Sequence, residues 1–337
     1  MHTIVKPPAL KRGDTIKIIA PSTAISDESG LLDAISFIKK QGFEVNLSTS
    51  LTHESPNRFL SVGDHFRTLE IENAFKSENI NAIMCLRGGS GAIDLLNMIN
   101  YDVVKDNPKI FIGSSDVTFL QLAFLKKANL VTFHGPMLID LMEKNKKVLN
   151  YNWSILQKII VDGEMLELKN PTFSRWSRTV IDGKVSGNLI GGNLSAVSLI
   201  ANTDFMPDLE DSILFLEDVD IEPWMLDNLL TSLVLKEVLQ KAKGIFFGEF
   251  PYHGLSEMLK AQTAPSVFFK NMLVDDYINA VLHDQIVDIL TKKIAKKPSF
   301  TEFSCCHGKY IITLPIGLSV ELDADNQSIK MLEKAVS

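Results

Sequence analysis

In the N-terminal third of the chain, short continuous apolar runs alternate with segments of helical periodicity. No other feature constrains the fold as strongly. The strand candidates are Thr15-Ile-Lys-Ile-Ile-Ala20, stopped by Pro21, then Phe43 to Leu47, Ala82-Ile-Met-Cys-Leu86 and Ile110-Phe-Ile112, the last two apolar at every residue. Between them, Asp27 to Lys40 places Leu31, Leu32, Ile35, Phe37 and Ile38 at helical spacing and ends at Gly42. Further helices are predicted over 64–75, through Leu95, Leu96 and Met98, and over 117–127. Strand-helix alternation of this kind builds βαβ units. Strands apolar along their whole length are covered on both faces, as parallel sheets are.

From about Asn150 to Lys184 the pattern weakens, and Asn170-Pro-Thr-Phe-Ser-Arg-Trp-Ser-Arg178 reads as a linker or mobile loop. Order returns with a strand over 185–190, a helix from Leu194 capped by Gly191-Gly-Asn193, and the strand Ser212-Ile-Leu-Phe-Leu-Glu217. A helix follows from Pro223 to about Lys236, with proline in the first turn where its missing N–H is harmless. Gly244 to Gly248 is another strand, and 311–322 and 328–332 read as short β-segments. At 337 residues the chain exceeds the size at which one core keeps growing. The expected organisation is an α/β domain over 1–165, a linker over 166–184 and a C-terminal domain over 185–337.

A net charge of -7 argues against a nucleic-acid surface. Three cysteines, two of them adjacent, are too few for a disulfide framework and suit a reducing compartment. The N-terminal residues lack the apolar core of a secretory signal. No run approaches the roughly 20 apolar residues that span a bilayer. The expectation is a cytoplasmic protein without membrane partners.

Three side chains stand where such a fold can present catalytic groups. Ser115 follows a strand and Gly113 and precedes a helix pattern, so its hydroxyl would sit beside the free N–H groups of a helix start. Helix capping by Ser114, Ser115 and Asp116 is the alternative reading. Glu217 ends an apolar strand, though Asp218, Asp220 and Glu222 beside it fit a solvated acidic turn equally well. His307, in Cys305-Cys-His-Gly308, precedes an apolar segment; His134, in Thr132-Phe-His-Gly-Pro-Met137, is the competing base. A nucleophile, a base and an acid that orients the base are the parts of a Ser-His-carboxylate hydrolase. Arg87-Gly-Gly-Ser-Gly91 is a glycine turn after a strand, without the signature of a nucleotide site. Cys85 reads as a small buried residue. No histidine pair has metal-ligand spacing, so neither metal nor cofactor is expected.

Taken together, Gly13-Asp-Thr-Ile-Lys-Ile-Ile-Ala-Pro-Ser22, Arg87-Gly-Gly-Ser-Gly91, Gly113-Ser-Ser-Asp116, Thr132-Phe-His-Gly-Pro-Met137, Gly191-Gly-Asn-Leu194, Leu216-Glu-Asp-Val219 and Thr313-Leu-Pro-Ile-Gly317 resemble the LD-carboxypeptidase family of serine peptidases, which includes microcin-immunity peptidases. The resemblance implies Ser115 as nucleophile, His307 as general base and Glu217 as the acid that orients it. It further implies an oxyanion hole from the backbone N–H groups of Gly89 and Asp116. The implied fold is a flavodoxin-like parallel-sheet domain followed by a β-rich α/β domain, with the site between them. The implied substrate is a murein tetrapeptide losing its terminal D-alanine, and the implied assembly is a homodimer.

Arg87, Arg175 and Arg178 are candidates for holding the substrate carboxylate. His134 and Trp176 are further lining candidates, Trp176 as a stacking surface if the substrate is a peptidyl-nucleotide antibiotic. The chain departs from the family pattern at Ser90 and Ser114, where aromatic residues are usual, at Cys306, where glycine is usual, and over 255–299. A non-catalytic binding protein on the same scaffold is the reading from another class.

Overall fold

A computed structural model of the chain describes residues 3–25, 30–48, 51, 60–172, 177–251, 284–292 and 296–337. Arg175 and Trp176 lie outside the described residues, as does most of 255–299. The first five strands are β1 (Thr15–Ile19), β2 (Glu44–Leu47), β3 (Ala82–Cys85), β4 (Ile110–Gly113) and β5 (Thr132–His134). They pair in parallel in the order β2-β1-β3-β4-β5, the flavodoxin-like order. β3 and β4 are buried at every residue, as their unbroken apolar sequence requires.

The next six strands are β6 (Glu167–Lys169), β7 (Arg178–Ile181), β8 (Lys184–Asn193), β9 (Ser212–Glu217), β10 (Gly244–Gly248) and β11 (Ser299–Phe303). The last three are β12 (Leu314–Ile316), β13 (Ser319–Asp323) and β14 (Ser328–Met331). Eight of these form a mixed sheet in the order β6-β14-β13-β8-β9-β10-β11-β7, in which β8 to β11 run parallel. Its core holds Phe246 stacked between Phe215 and Phe300, with centroids 5.6 and 5.3 Å apart. β12 leaves this sheet and pairs antiparallel with β5, closing the edge of the first sheet.

Three expectations need correction. The weakened pattern after Asn150 conceals a helix, Lys146–Ile160, which buries Val148, Leu149, Trp153, Leu156, Ile159 and Ile160 at helical spacing; polar Asn150, Asn152 and Lys158 interrupt the run. The expected linker over 166–184 supplies both edge strands of the second sheet. Edge strands are short and half-exposed, so their composition resembles a loop. The segment through Leu95 to Met98 forms only a 3-10 turn, Ala92–Leu95. Among the described residues no helix is long and apolar enough to cross a membrane.

Candidate active site

Ser115 stands two residues beyond the end of β4 and opens a 3-10 turn, Ser115–Val117, that runs into the helix Thr118–Ala128. Its φ of 59° is left-handed, a conformation that costs a non-glycine residue roughly 1–2 kcal/mol. The surroundings hold it there. Asp116, buried, accepts hydrogen bonds from the Ser22 hydroxyl at 2.6 Å and the Ala92 N–H at 2.9 Å. Ser114 makes no side-chain cap bond, so the expectation of simple capping finds no support there.

The glycine turn after β3 lies against this corner. The Thr23 hydroxyl accepts from the Ser90 N–H at 3.1 Å and abuts Gly89, whose φ of 118° suits only glycine. The Gly89 N–H enters none of the backbone hydrogen bonds of the described loops, and the Asp116 N–H lies in a first helical turn, where no intrahelical acceptor exists. Neither N–H is therefore taken up by a backbone acceptor among the described residues. Arg87 is half-buried, and its buried Nε has no hydrogen-bond partner among the described residues.

Glu217 ends β9, fully buried, beside Asp218. Successive strand-end residues diverge, and the two acids take different tasks. Asp218 accepts from Asn193 Nδ2 at 2.9 Å and from the N–H and hydroxyl of Ser195, tying down the start of the helix Leu194–Ile200. Glu217 Oε2 instead lies 2.6 Å from His307 Nδ1. Burial raises the Glu217 pKa, and the His307 charge and hydrogen bond pull against it. Burial alone would lower the His307 pKa, but the Glu217 charge and hydrogen bond outweigh it and leave it raised. The fold therefore brings a carboxylate and a histidine from opposite ends of the second half into one bonded pair.

His134 lies beneath this pair rather than lining an open surface: it is fully buried, edge-on to Phe215 with centroids 5.1 Å apart. Its Nε2 is 3.7 Å from Glu217 Oε1. Burial, then the nearby His307 charge, depress its pKa to about 3, so it is neutral at ordinary pH. Arg178 opens β7, and Cys85 is buried as expected. Sequence reasoning missed Asp140, whose pKa is pushed to about 6 by burial against a bond from the Met137 N–H and the His307 charge. It lines a cleft of about 430 Å³ with Lys144, Gly308 and Lys309, next in sequence to His307. A further miss is the convergence of His134, Glu217 and Cys306, each offering a ligand atom within 4.8 Å of the others. Their separation in sequence hid it from a search by motif spacing.

Comparison with known proteins adds an independent line. The LD-carboxypeptidase N-terminal domain matches residues 16–135, and the LD-carboxypeptidase C-terminal domain matches 186–322. A relative named "Probable murein peptide carboxypeptidase", from Bacillus subtilis (strain 168), is 29% identical over 335 residues, covering 98% of this chain and 95% of its own. The microcin C7 self-immunity protein MccF of Escherichia coli is 26% identical over 362 residues, covering 100% and 98%. The crystal structure of muramoyltetrapeptide carboxypeptidase from Oxalobacter formigenes superposes with a TM-score of 0.73 at 26% identity, covering 94% of this chain and 97% of that one.

Proposed function

The chain belongs to the LD-carboxypeptidase family, and from that premise we propose that it is a serine carboxypeptidase releasing the terminal D-alanine of murein tetrapeptides. The observation that carries the reading is the 2.6 Å bond between Glu217 Oε2 and His307 Nδ1, formed in a fold whose Ser115 sits at a left-handed strand-to-helix corner. In this mechanism the Ser115 hydroxyl attacks the carbonyl of the L,D peptide bond. His307, through its other ring nitrogen, takes the hydroxyl proton and returns it to the leaving amine. Glu217 holds the ring in the required tautomer and stabilises the imidazolium. The N–H groups of Gly89 and Asp116 receive the oxyanion, and water then hydrolyses the acyl-enzyme.

Arg87, beside the glycine turn and with its Nε unpartnered among the described residues, is the cation that would meet the substrate carboxylate in this reading. His134 acts through Glu217 and does not touch substrate. The reaction belongs to recycling of wall peptides in the cytoplasm, and the working unit is a homodimer of two-domain protomers. Digestion of a murein tetrapeptide, followed by mass spectrometry, should show loss of one alanine. An intact tetrapeptide together with cleavage of a peptidyl-nucleotide antibiotic would transfer the chain to the microcin-immunity branch. No labelling of Ser115 by an active-site serine reagent would make it a binding protein.

A further inference from the structure

Glu217 uses one carboxylate oxygen for His307; the other faces His134. The network fixes what His134 presents to it. Gln121 Nε2 donates to the Gly113 carbonyl at 3.1 Å, so its Oε1 is the atom left facing His134 Nδ1, at 3.4 Å. The proton of neutral His134 therefore sits on Nδ1, and Nε2 turns a bare lone pair toward Glu217 Oε1. Two acceptors, both fully buried and both without a hydrogen-bond partner among the described residues, thus confront each other at 3.7 Å. Such a pair is repulsive unless a cation or a proton is shared between them.

The third member is Cys306. Its thiol is 3.2 Å from His307 Nδ1, within hydrogen-bond reach of Ser114 and of the Glu217 carboxylate, and buried. Its φ of 83° would suit glycine, the residue usual there in the family. Imidazole, carboxylate and thiolate form a donor set that suits zinc and its neighbours rather than magnesium or calcium. Two such ligands at about 2.1 Å from a tetrahedral ion stand roughly 3.4 Å apart. The His134–Glu217 gap is close to that value.

We propose that His134 Nε2, Glu217 Oε1 and Cys306 Sγ form a binding site for a thiophilic divalent cation, zinc being the type case, which occupancy turns into an inhibitory site. Binding releases the Cys306 proton to solvent and leaves the fourth position to water. The inhibition rests on the catalytic reading above: a dication on the Glu217 carboxylate cancels the charge that supports the His307 imidazolium. The binding does not rest on it.

The test is titration of the full-length, chelator-stripped protein with Co²⁺, followed by Zn²⁺ competition. A thiolate-to-cobalt charge-transfer band should saturate at one equivalent and vanish on zinc addition. Cys306→Gly, which fits the backbone at that φ, should erase the band, and His134→Gln should weaken binding at least tenfold. Zinc should inhibit peptide hydrolysis in wild type, reversibly by chelator, with Cys306→Gly needing at least tenfold more. Absence of the band, its survival in Cys306→Gly, or undiminished binding by His134→Gln overturns the site. Zinc binding without loss of hydrolysis overturns its inhibitory role. If wild type hydrolyses no murein peptide, the catalytic reading fails while the spectra still decide the metal site.

Discussion

Gly88 lies so close to Ser115 that a methyl group on its α-carbon would stand 2.7 Å from the Ser115 Cβ and 3.0 Å from its hydroxyl oxygen. Neither partner has room to yield, because Ser115 is pinned through Asp116 to Ser22 and Ala92. Gly88→Ala should therefore lower kcat at least tenfold, since small displacements of reacting groups are expensive. Steady-state kinetics beside a thermal melt check this. Turnover equal to wild type would mean that the corner is soft.

Ser115→Gly separates strain from stability. Glycine removes the nucleophile and also relieves the left-handed backbone, so the variant should be inert yet more stable by about 1 kcal/mol. Denaturant unfolding reads the second part. A destabilised variant would show that the hydroxyl serves the fold as a cap.

The pH dependence of turnover follows from the His307–Glu217 pair. The base must be neutral, so activity is lost as pH falls through its folded-state pKa. That pKa is raised, because the Glu217 charge and hydrogen bond overcome the burial that alone would lower it. The inflection of kcat/KM should lie above the ordinary histidine value of about 6.5. Glu217→Gln should move it downward and lower kcat with little change in KM; Asp218→Asn removes a smaller charge contribution and should move it downward by less. An unmoved inflection in Glu217→Gln would assign it to another group.

A half-buried acid outside the proposed triad should make stability fall with pH. Burial pushes the Glu249 pKa up to about 7, against the Ser304 hydroxyl bond, and Glu302 rises to about 8 through burial and then the Glu249 charge. A carboxyl whose folded pKa is raised binds its proton more tightly when folded. Its stabilisation is present below the unfolded value of about 4.3 and is lost as pH climbs through the folded one. Glu249→Gln should flatten the decline in Tm between about pH 5 and 8. A decline as steep as wild type would exonerate Glu249.

Much of this was legible in the sequence, for identifiable reasons. β3 and β4 carry no polar side chain, β9 is apolar between its polar ends, and burial on both faces leaves that mark. Ser115 and Glu217 were legible as the polar residues at the ends of such runs. The pairing of β12 with β5 was not, because an apolar tripeptide encodes burial and not its partner. The same limit hid the approach of His134 to Glu217, which two separate sheets bring together. β6 and β7 were missed because edge strands of three and four residues are too short to show a period.

The crossing of β12 has a consequence for how the protein is made. The segment bearing His307 is anchored at one end by β11 in the mixed sheet and at the other by β12 in the parallel one. Until β12 leaves the ribosome, β5 keeps an edge with unpaired backbone groups, the kind of edge that recruits other chains. The segment leading into β12 carries His307, the base of the proposed mechanism. A nascent chain is therefore both inert and unprotected, and one late docking event ends both conditions together.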